Sequence, residues 1–253
     1  MRPLFLLLFV PFLLAQREAI LIPAVSQNQI EVRQGFVGTE LLLYGAILDP
    51  DRKGDEVEYD VVVVLKGPPE SIVIREKSRV AGIWMNSQSS EFRSAPSFFA
   101  VSASRPIREI VDERTAAIYE LGTQFIQLSP TGQIEPEKQM RFASGLVQTR
   151  KNLGLYKEDM SGVSINERVL YQARIQLPSN VTTGEYTAET FVLLDGRVIA
   201  SEVAKIEVLK VGFGRFVEIF SKHFSFLYGA LAVALSLSMG WIAGRLFARL
   251  QSA

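Results

Sequence analysis

The chain has 253 residues, no cysteine, one histidine, and 27 basic against 27 acidic side chains. Without cysteine there is no disulfide framework, no thiolate metal site and no Cys-His nucleophile, and a lone His223 rules out the usual histidine-pair metal sites and disfavours a Ser-His-Asp triad. With Arg2, Arg245 and Arg249 set apart at the ends, 24 bases face 27 acids, a mildly negative middle that argues against nucleic acid or an anionic surface as a partner.

The chain opens with MRPLFLLLFVPFLLA, in which Arg2 precedes an apolar run from Leu4 to Leu14. That run is too short for a hydrocarbon core needing ~20 residues. Residues 1–15 therefore read as a secretory signal, with an uncleaved anchor as the alternative. From Ala19 to Ser104 the pattern is strand-like. Glu40–Leu48 and Val57–Gly67 are rich in branched and aromatic residues, and QIEVRQ, SIVIRE, RVAGIWMN and SFFAVSA are shorter candidates. Asp49, Asp51, Gly54 and Asp60 have the spacing of a calcium loop. Lys53 occupies a ligand position, however, so a solvated hairpin loop is expected there instead.

The segment from Gly67 to Pro106 interleaves bases with aromatics. Trp84 and one of the phenylalanines are expected to help fill the core. Arg75, Lys77, Arg79, Trp84, Asn86 and Arg105 together form the candidate surface for a partner or an anionic ligand. From Pro106 to Leu153 the period turns helical. Ile107, Ile110, Val111, Ile118, Leu121 and Phe125 mark one apolar face, and a Ser129–Gly132 turn leads to a second helix from Pro136 that stops at Gly154. Alternation then returns over Val169–Leu177 and Tyr186–Leu194, and Asp195-Gly196 turns the chain into Arg197–Lys210. The phrase LPSNVTTGEY fits the crossing between sheets of an immunoglobulin-like domain.

Near the C-terminus, Phe213, Phe216, Phe220, Phe224 and Leu227 recur at helical spacing among charges, an amphipathic helix suited to lying on the membrane face or to extending the span outward. Phe224 to Gly244 then gives 21 residues without a charge, long enough for one transmembrane helix, with Tyr228 and Trp241 near its ends. Ser236, Gly240 and Gly244 recur every four residues, a small-residue face on which another membrane helix or a second copy can pack.

The expected fold is mainly β: an immunoglobulin-like β-sandwich with a helical insertion, plus one C-terminal transmembrane helix, two separate sandwich halves being the alternative. The expected order is signal peptide 1–15, periplasmic sandwich 16–105 and 155–210, insertion 106–154, juxtamembrane segment 211–223, span 224–244 and cytoplasmic tail 245–253. No nucleotide-binding or nucleophile-elbow motif is present, and no spacing singles out a carboxylate pair. No catalytic, cofactor or metal residue is assigned.

The order GFVGTELLLYGAI, GPP, REKSRVAGIWMN, PSFFAVSASRP, LPSNVTTGEY and KVGFGRFVEIFSKHFSFLYGALAVALSLSMGWIAGRLF resembles the alphaproteobacterial putative transmembrane protein family. The resemblance implies an envelope location and no activity; the signal-like start and the single apolar span add the expectation of a type I protein of the bacterial inner membrane. Members of the family are often encoded beside a sulfite-exporter-like permease, so the resemblance implies at most an accessory role in sulfur-anion transport. The expected function is thus a membrane-anchored periplasmic accessory or binding module, partnered by a membrane protein or by itself. A carboxylate hydrolase and a purely structural envelope protein are the alternatives.

Overall fold

The computed structural model describes residues 19–48, 58–132 and 134–251. The segment read as a signal, 1–15, and Asp49, Asp51 and Gly54 of the acidic loop lie outside these residues.

The first seven strands are β1 (Ile20–Val25), β2 (Gln29–Val32), β3 (Gly38–Leu48), β4 (Asp60–Lys66), β5 (Pro69–Val80), β6 (Ile83–Pro96) and β7 (Phe99–Ala103). Helices α1 (Ile107–Ile110), α2 (Glu113–Ile118) and α3 (Pro136–Asn152) follow, with a 3-10 turn at Thr123–Phe125. Next come β8 (Tyr156–Asp159), β9 (Val163–Asn166), β10 (Leu170–Pro178), β11 (Gly184–Leu194) and β12 (Arg197–Lys210). Helices α4 (Phe213–His223) and α5 (Ser225–Gln251) end the chain.

Ten strands form two sheets over one hydrophobic core, in the orders β1-β3-β10-β9 and β2-β12-β11-β4-β7-β8. These orders correspond to the two faces of an immunoglobulin-like domain, the second with added edge strands. Tyr186 at the start of β11 supports the assignment, because its hydroxyl donates to the Thr182 carbonyl at 2.8 Å. A tyrosine bonded back to the backbone just upstream of its strand marks the corner between sheets in such domains. Burial pushes the Tyr186 phenol up to about 12, so it stays a donor at neutral pH.

The run from Val61 to Leu65 is buried residue by residue, because the sheet around β4 is covered on both faces. On the inner face Tyr171 of β10 reaches across to the Thr190 hydroxyl of β11, 3.4 Å away. On the outer face Tyr119, just after α2, packs on Phe191 with ring centroids 5.3 Å apart. The helical insertion therefore shields a sheet face from water as well as connecting strands.

The helix expected from Pro106 to Phe125 is instead broken. Val111 is extended, and Asp112 starts a new helix by accepting the Thr115 amide at 2.9 Å. The single apolar face fails with it: Ile107, Ile110 and Leu121 are buried, but Ile118 is exposed. Helix α3 matches its caps better. Gly154 is left-handed (φ +69°), its amide bonds the Lys151 carbonyl and that of Leu155 bonds Arg150, a Schellman stop. Asn180, part of a glycosylation-like Asn-Val-Thr, donates to the Leu153 carbonyl at the same helix end.

RVAGIWMN is not one strand. Ala81 and Gly82, both at positive φ, turn β5 into β6 with Val80 opposite Ile83. Trp84 consequently lies beside a hairpin tip and is 67% exposed, not in the core. The aromatic core positions of this segment are Phe92, Phe98 and Phe99.

Candidate functional site

The β5–β6 hairpin has a braced stalk and a free tip. Ile72 and Ile74 pack against the core, Phe92 is buried in it, and α3 lies along the same strand. Arg150 of α3 pairs with Glu70, while Arg141 pairs with Glu76 at 3.1 Å and donates to Gln88 at 3.2 Å. Past Glu76 and Gln88 the hairpin stands almost wholly in solvent.

Register decides what the tip presents. Arg75, Lys77 and Arg79 alternate along β5, so they share a face; Lys77 is paired with Asn86, and Arg79 with Trp84. Directly opposed residues point to the same side of a ribbon. Five of the six candidate surface residues therefore form one exposed patch. Among the described residues no carboxylate pairs with its three bases, and Arg79 donates only to the Gly82 carbonyl, at 3.2 Å. Sequence reasoning missed Val80, Ile83 and Met85, which with Trp84 make the tip apolar and at least half exposed or nearly so. An Ala-Gly pair between two branched residues was the available signal.

Arg105 stands apart. Its guanidinium grips Asp60 with two bonds of 2.7 and 2.6 Å, at the end of β4 away from the hairpin. Seven residues of strand separate these ends, about 20 Å. Arg105 thus closes the start of β4 and does not join the patch.

A cleft of about 580 Å³ lies between α1, α2, the 3-10 turn and β8, lined by Ile107, Val111, Ala116, Leu121, Phe125 and Met160. That is a ligand-sized space, but two of its three acids, Asp112 and Glu158, are already engaged. Asp112 caps α2, and Glu158 accepts from the Thr123 amide and hydroxyl, both at 2.6 Å, and from Lys151 at 3.3 Å. Burial works against the Glu158 carboxylate, yet these donors outweigh it and hold its pKa below the ordinary value. A depressed carboxylate stabilises the fold above its unfolded pKa and loses that contribution as pH falls through the folded value. Glu158→Gln is therefore expected to lower stability near neutrality and to flatten its decline below about pH 4.5. Parallel acid melts giving equal slopes for both proteins would contradict this.

Two further acids, Glu120 and Glu189, converge on Lys66, at 2.7 and 3.2 Å. Burial disfavours the Lys66 ammonium, but the two carboxylates prevail and hold its pKa above the usual lysine value. The cluster ties the turn after α2 to β4 and β11. Converging acids here serve as an ion-pair clasp.

At the C-terminus, one described helix is long and apolar enough to cross a membrane: Ser225–Arg245, wholly exposed. Its 21 residues extend ~32 Å, about the thickness of a hydrocarbon core. Trp241 lies under the Arg245 guanidinium at 4.4 Å, and Phe220 meets Tyr228 at 6.3 Å where α4 joins α5, aromatic anchors suited to the two interfaces. Ser236, Gly240 and Gly244 share a face, and apart from the helix's own backbone a Cβ on either glycine would meet nothing within 4 Å among the described residues. The Ser236 hydroxyl donates to the Ala232 carbonyl at 3.0 Å, so it is satisfied within the helix. His223 is exposed at the end of α4.

No curated protein matches the chain. A family described as "Putative transmembrane protein (Alph_Pro_TM)" matches residues 20–249, from β1 almost to the end of α5. A match running through both sheets, the insertion and the apolar helix places the chain as a whole in this transmembrane protein family.

Proposed function

We propose that the chain is a membrane-anchored accessory or binding module of an inner-membrane system. The signal-like segment exports the sandwich to the periplasm, α5 crosses the inner membrane once, and the tail after Arg245 is cytoplasmic. The observation that carries this reading is the β5–β6 hairpin. Its stalk is built into the core and braced by α3, while its tip offers a basic and aromatic patch that the sandwich does not use. The face of Ser236, Gly240 and Gly244 supplies a contact for a partner helix or a second copy. A sulfite-exporter-like transporter is the system implied by the family resemblance.

A carboxylate hydrolase would need two acids converging on open space, one of them held protonated. Here Glu120 and Glu189 converge on Lys66, while Asp112 and Glu158 are held below their ordinary values. The geometry favours the binding reading.

Purification of the tagged full-length chain from native membranes in mild detergent tests the proposal. A membrane protein should copurify in stoichiometric amount and be lost from the Gly240→Leu/Gly244→Leu variant. Recovery of the chain alone, with the variant behaving identically, would overturn it.

A further inference from the structure

The hairpin and the membrane helix leave the sandwich at the same end. Register places Phe99, Lys66, Thr187 and Lys205 in one row across β7, β4, β11 and β12. Beyond Lys66 the chain enters β5 at Pro69, and beyond Lys205 it runs through Lys210 into α4 and α5. Val80 at the tip is 14 residues past the row, a reach of up to about 45 Å in extended chain. Lys210 is only five residues past it, about 17 Å, after which α4 leads directly to the span. The hairpin is long enough to reach the plane where α5 enters the bilayer.

Its chemistry fits that plane. Indole rings favour the boundary between headgroups and acyl chains, and juxtamembrane bases favour anionic headgroups. Although the middle of the chain as a whole is mildly negative, the tip concentrates Arg75, Lys77 and Arg79, which have no acidic partner among the described residues, beside exposed Val80, Ile83, Trp84 and Met85. A second basic group faces the same end: Lys210, Arg215 and Lys222 line a hollow between β12 and α4. Helix α4 adds a stack of Phe216 on Phe220, rings 5.8 Å apart, and Phe216 remains largely exposed.

From these observations we infer that the β5–β6 tip docks on the anionic phospholipid surface of the membrane that α5 crosses, Trp84 and its apolar neighbours entering the interface and Arg75, Lys77 and Arg79 meeting the headgroup phosphates. The domain is then held at two points, the span and the hairpin, which fixes its tilt over the bilayer. The inference names the lipid surface as what the hairpin patch of the proposed binding module takes, leaving the face of Ser236, Gly240 and Gly244 to a protein partner, and it rests on the reading of α5 as a membrane span.

The experiment uses the full chain carrying Trp241→Phe, so that Trp84 is the only tryptophan. It is reconstituted into vesicles of phosphatidylethanolamine and phosphatidylglycerol, or of phosphatidylcholine alone, with brominated acyl chains as quencher. The expected result is a blue-shifted Trp84 emission in the anionic vesicles, with most of its intensity lost to the brominated lipid. Arg75→Gln/Lys77→Gln/Arg79→Gln should restore a water-like, unquenched emission, its unchanged thermal melt showing an intact fold. Unquenched Trp84 emission in anionic vesicles overturns the inference, as does quenching that ignores both lipid charge and the triple substitution. Shielding of Trp84 in native membranes but not in lipid vesicles also overturns it, assigning the tip to a protein. Alkaline carbonate extraction separates the two levels. Release of the chain means that the span reading fails, whereas retention with unquenched Trp84 removes only the docking.

Discussion

Phe92→Ala is expected to destabilise the domain by about 3–5 kcal/mol, the usual cost of emptying a buried phenylalanine site. Phe92 has no exposed surface, pairs with Ile72 across the hairpin and bridges to Pro130 on its other side. It therefore sits where β6, β5 and the segment leading to α3 meet, and the cavity left by truncation has three elements around it. For a domain of this size that cost corresponds to a drop of roughly 10 °C in Tm. Ile83→Ala, on the same strand but 70% exposed, should change stability by no more than ~0.5 kcal/mol. Thermal or urea unfolding of the pair separates the stalk, which belongs to the core, from the tip, which does not. Equal costs for both substitutions would mean that the hairpin is not divided in this way.

That division bears on function because the binding and docking proposals both need a rigid presenter. Arg141–Glu76 and Arg150–Glu70 lie on α3 at two levels of the stalk, so the ribbon is held along its lower half. An isolated two-stranded ribbon is marginally stable in water. Braced as it is, the hairpin keeps Arg75, Lys77 and Arg79 in line with Trp84 and Asn86 without covering them.

Much of the fold was legible where a period had room to repeat. β10 alternates over its nine residues and β11 from Glu185 to Thr190, before Thr190–Leu193 are buried on both faces, and Asp195-Gly196 supplies the turn into β12, with both residues at positive φ. Tyr186 was visible as a corner residue because the turn formers lie just before it. The proline start and Gly154 stop of α3 were equally plain. Where the signal was short, it failed. β8 and β9 have four residues each, and the break between α1 and α2 depends on Asp112 capping a second helix when it serves equally well as an early acid of one long helix.

The candidate patch was half legible for a related reason. Spacing alone puts Arg75, Lys77 and Arg79 on one side of a strand, but joining them to Trp84 and Asn86 requires the turn at Ala81-Gly82. Alanine is seldom the first residue of such a turn, because positive φ is costly for it. Trp84 read as core for want of that turn, since large aromatics are mostly buried and nothing in the local pattern marks a ribbon free on both faces. Arg105 was misgrouped by proximity in sequence; its partner Asp60 lies 45 residues earlier in the chain.

Gly45→Val reverses what strand propensity predicts. Valine outranks glycine in strands by up to ~1 kcal/mol, so at an ordinary position of β3 the substitution should help. Gly45 is paired with Pro23 of β1 on one side and Tyr171 of β10 on the other. A Cβ there would run into the Ile22 carbonyl oxygen and lie 2.7 Å from Cε1 of the Tyr171 ring. The ring cannot yield freely, because it is buried and its hydroxyl faces Thr190 in the opposite sheet. Either β1 separates from β3 or Tyr171 leaves the core, so the expected result is a loss of about 3 kcal/mol, the upper end of overpacking costs. Gly145→Ala provides the contrast. Its Cβ would meet nothing within 4 Å, it lies inside α3, and removing a helical glycine should gain about 0.5–1 kcal/mol. Opposite signs in chemical denaturation identify Gly45 as a site of backbone and ring approach. A Gly45→Val protein as stable as the parent would mean that Tyr171 does not lie against β3 as described.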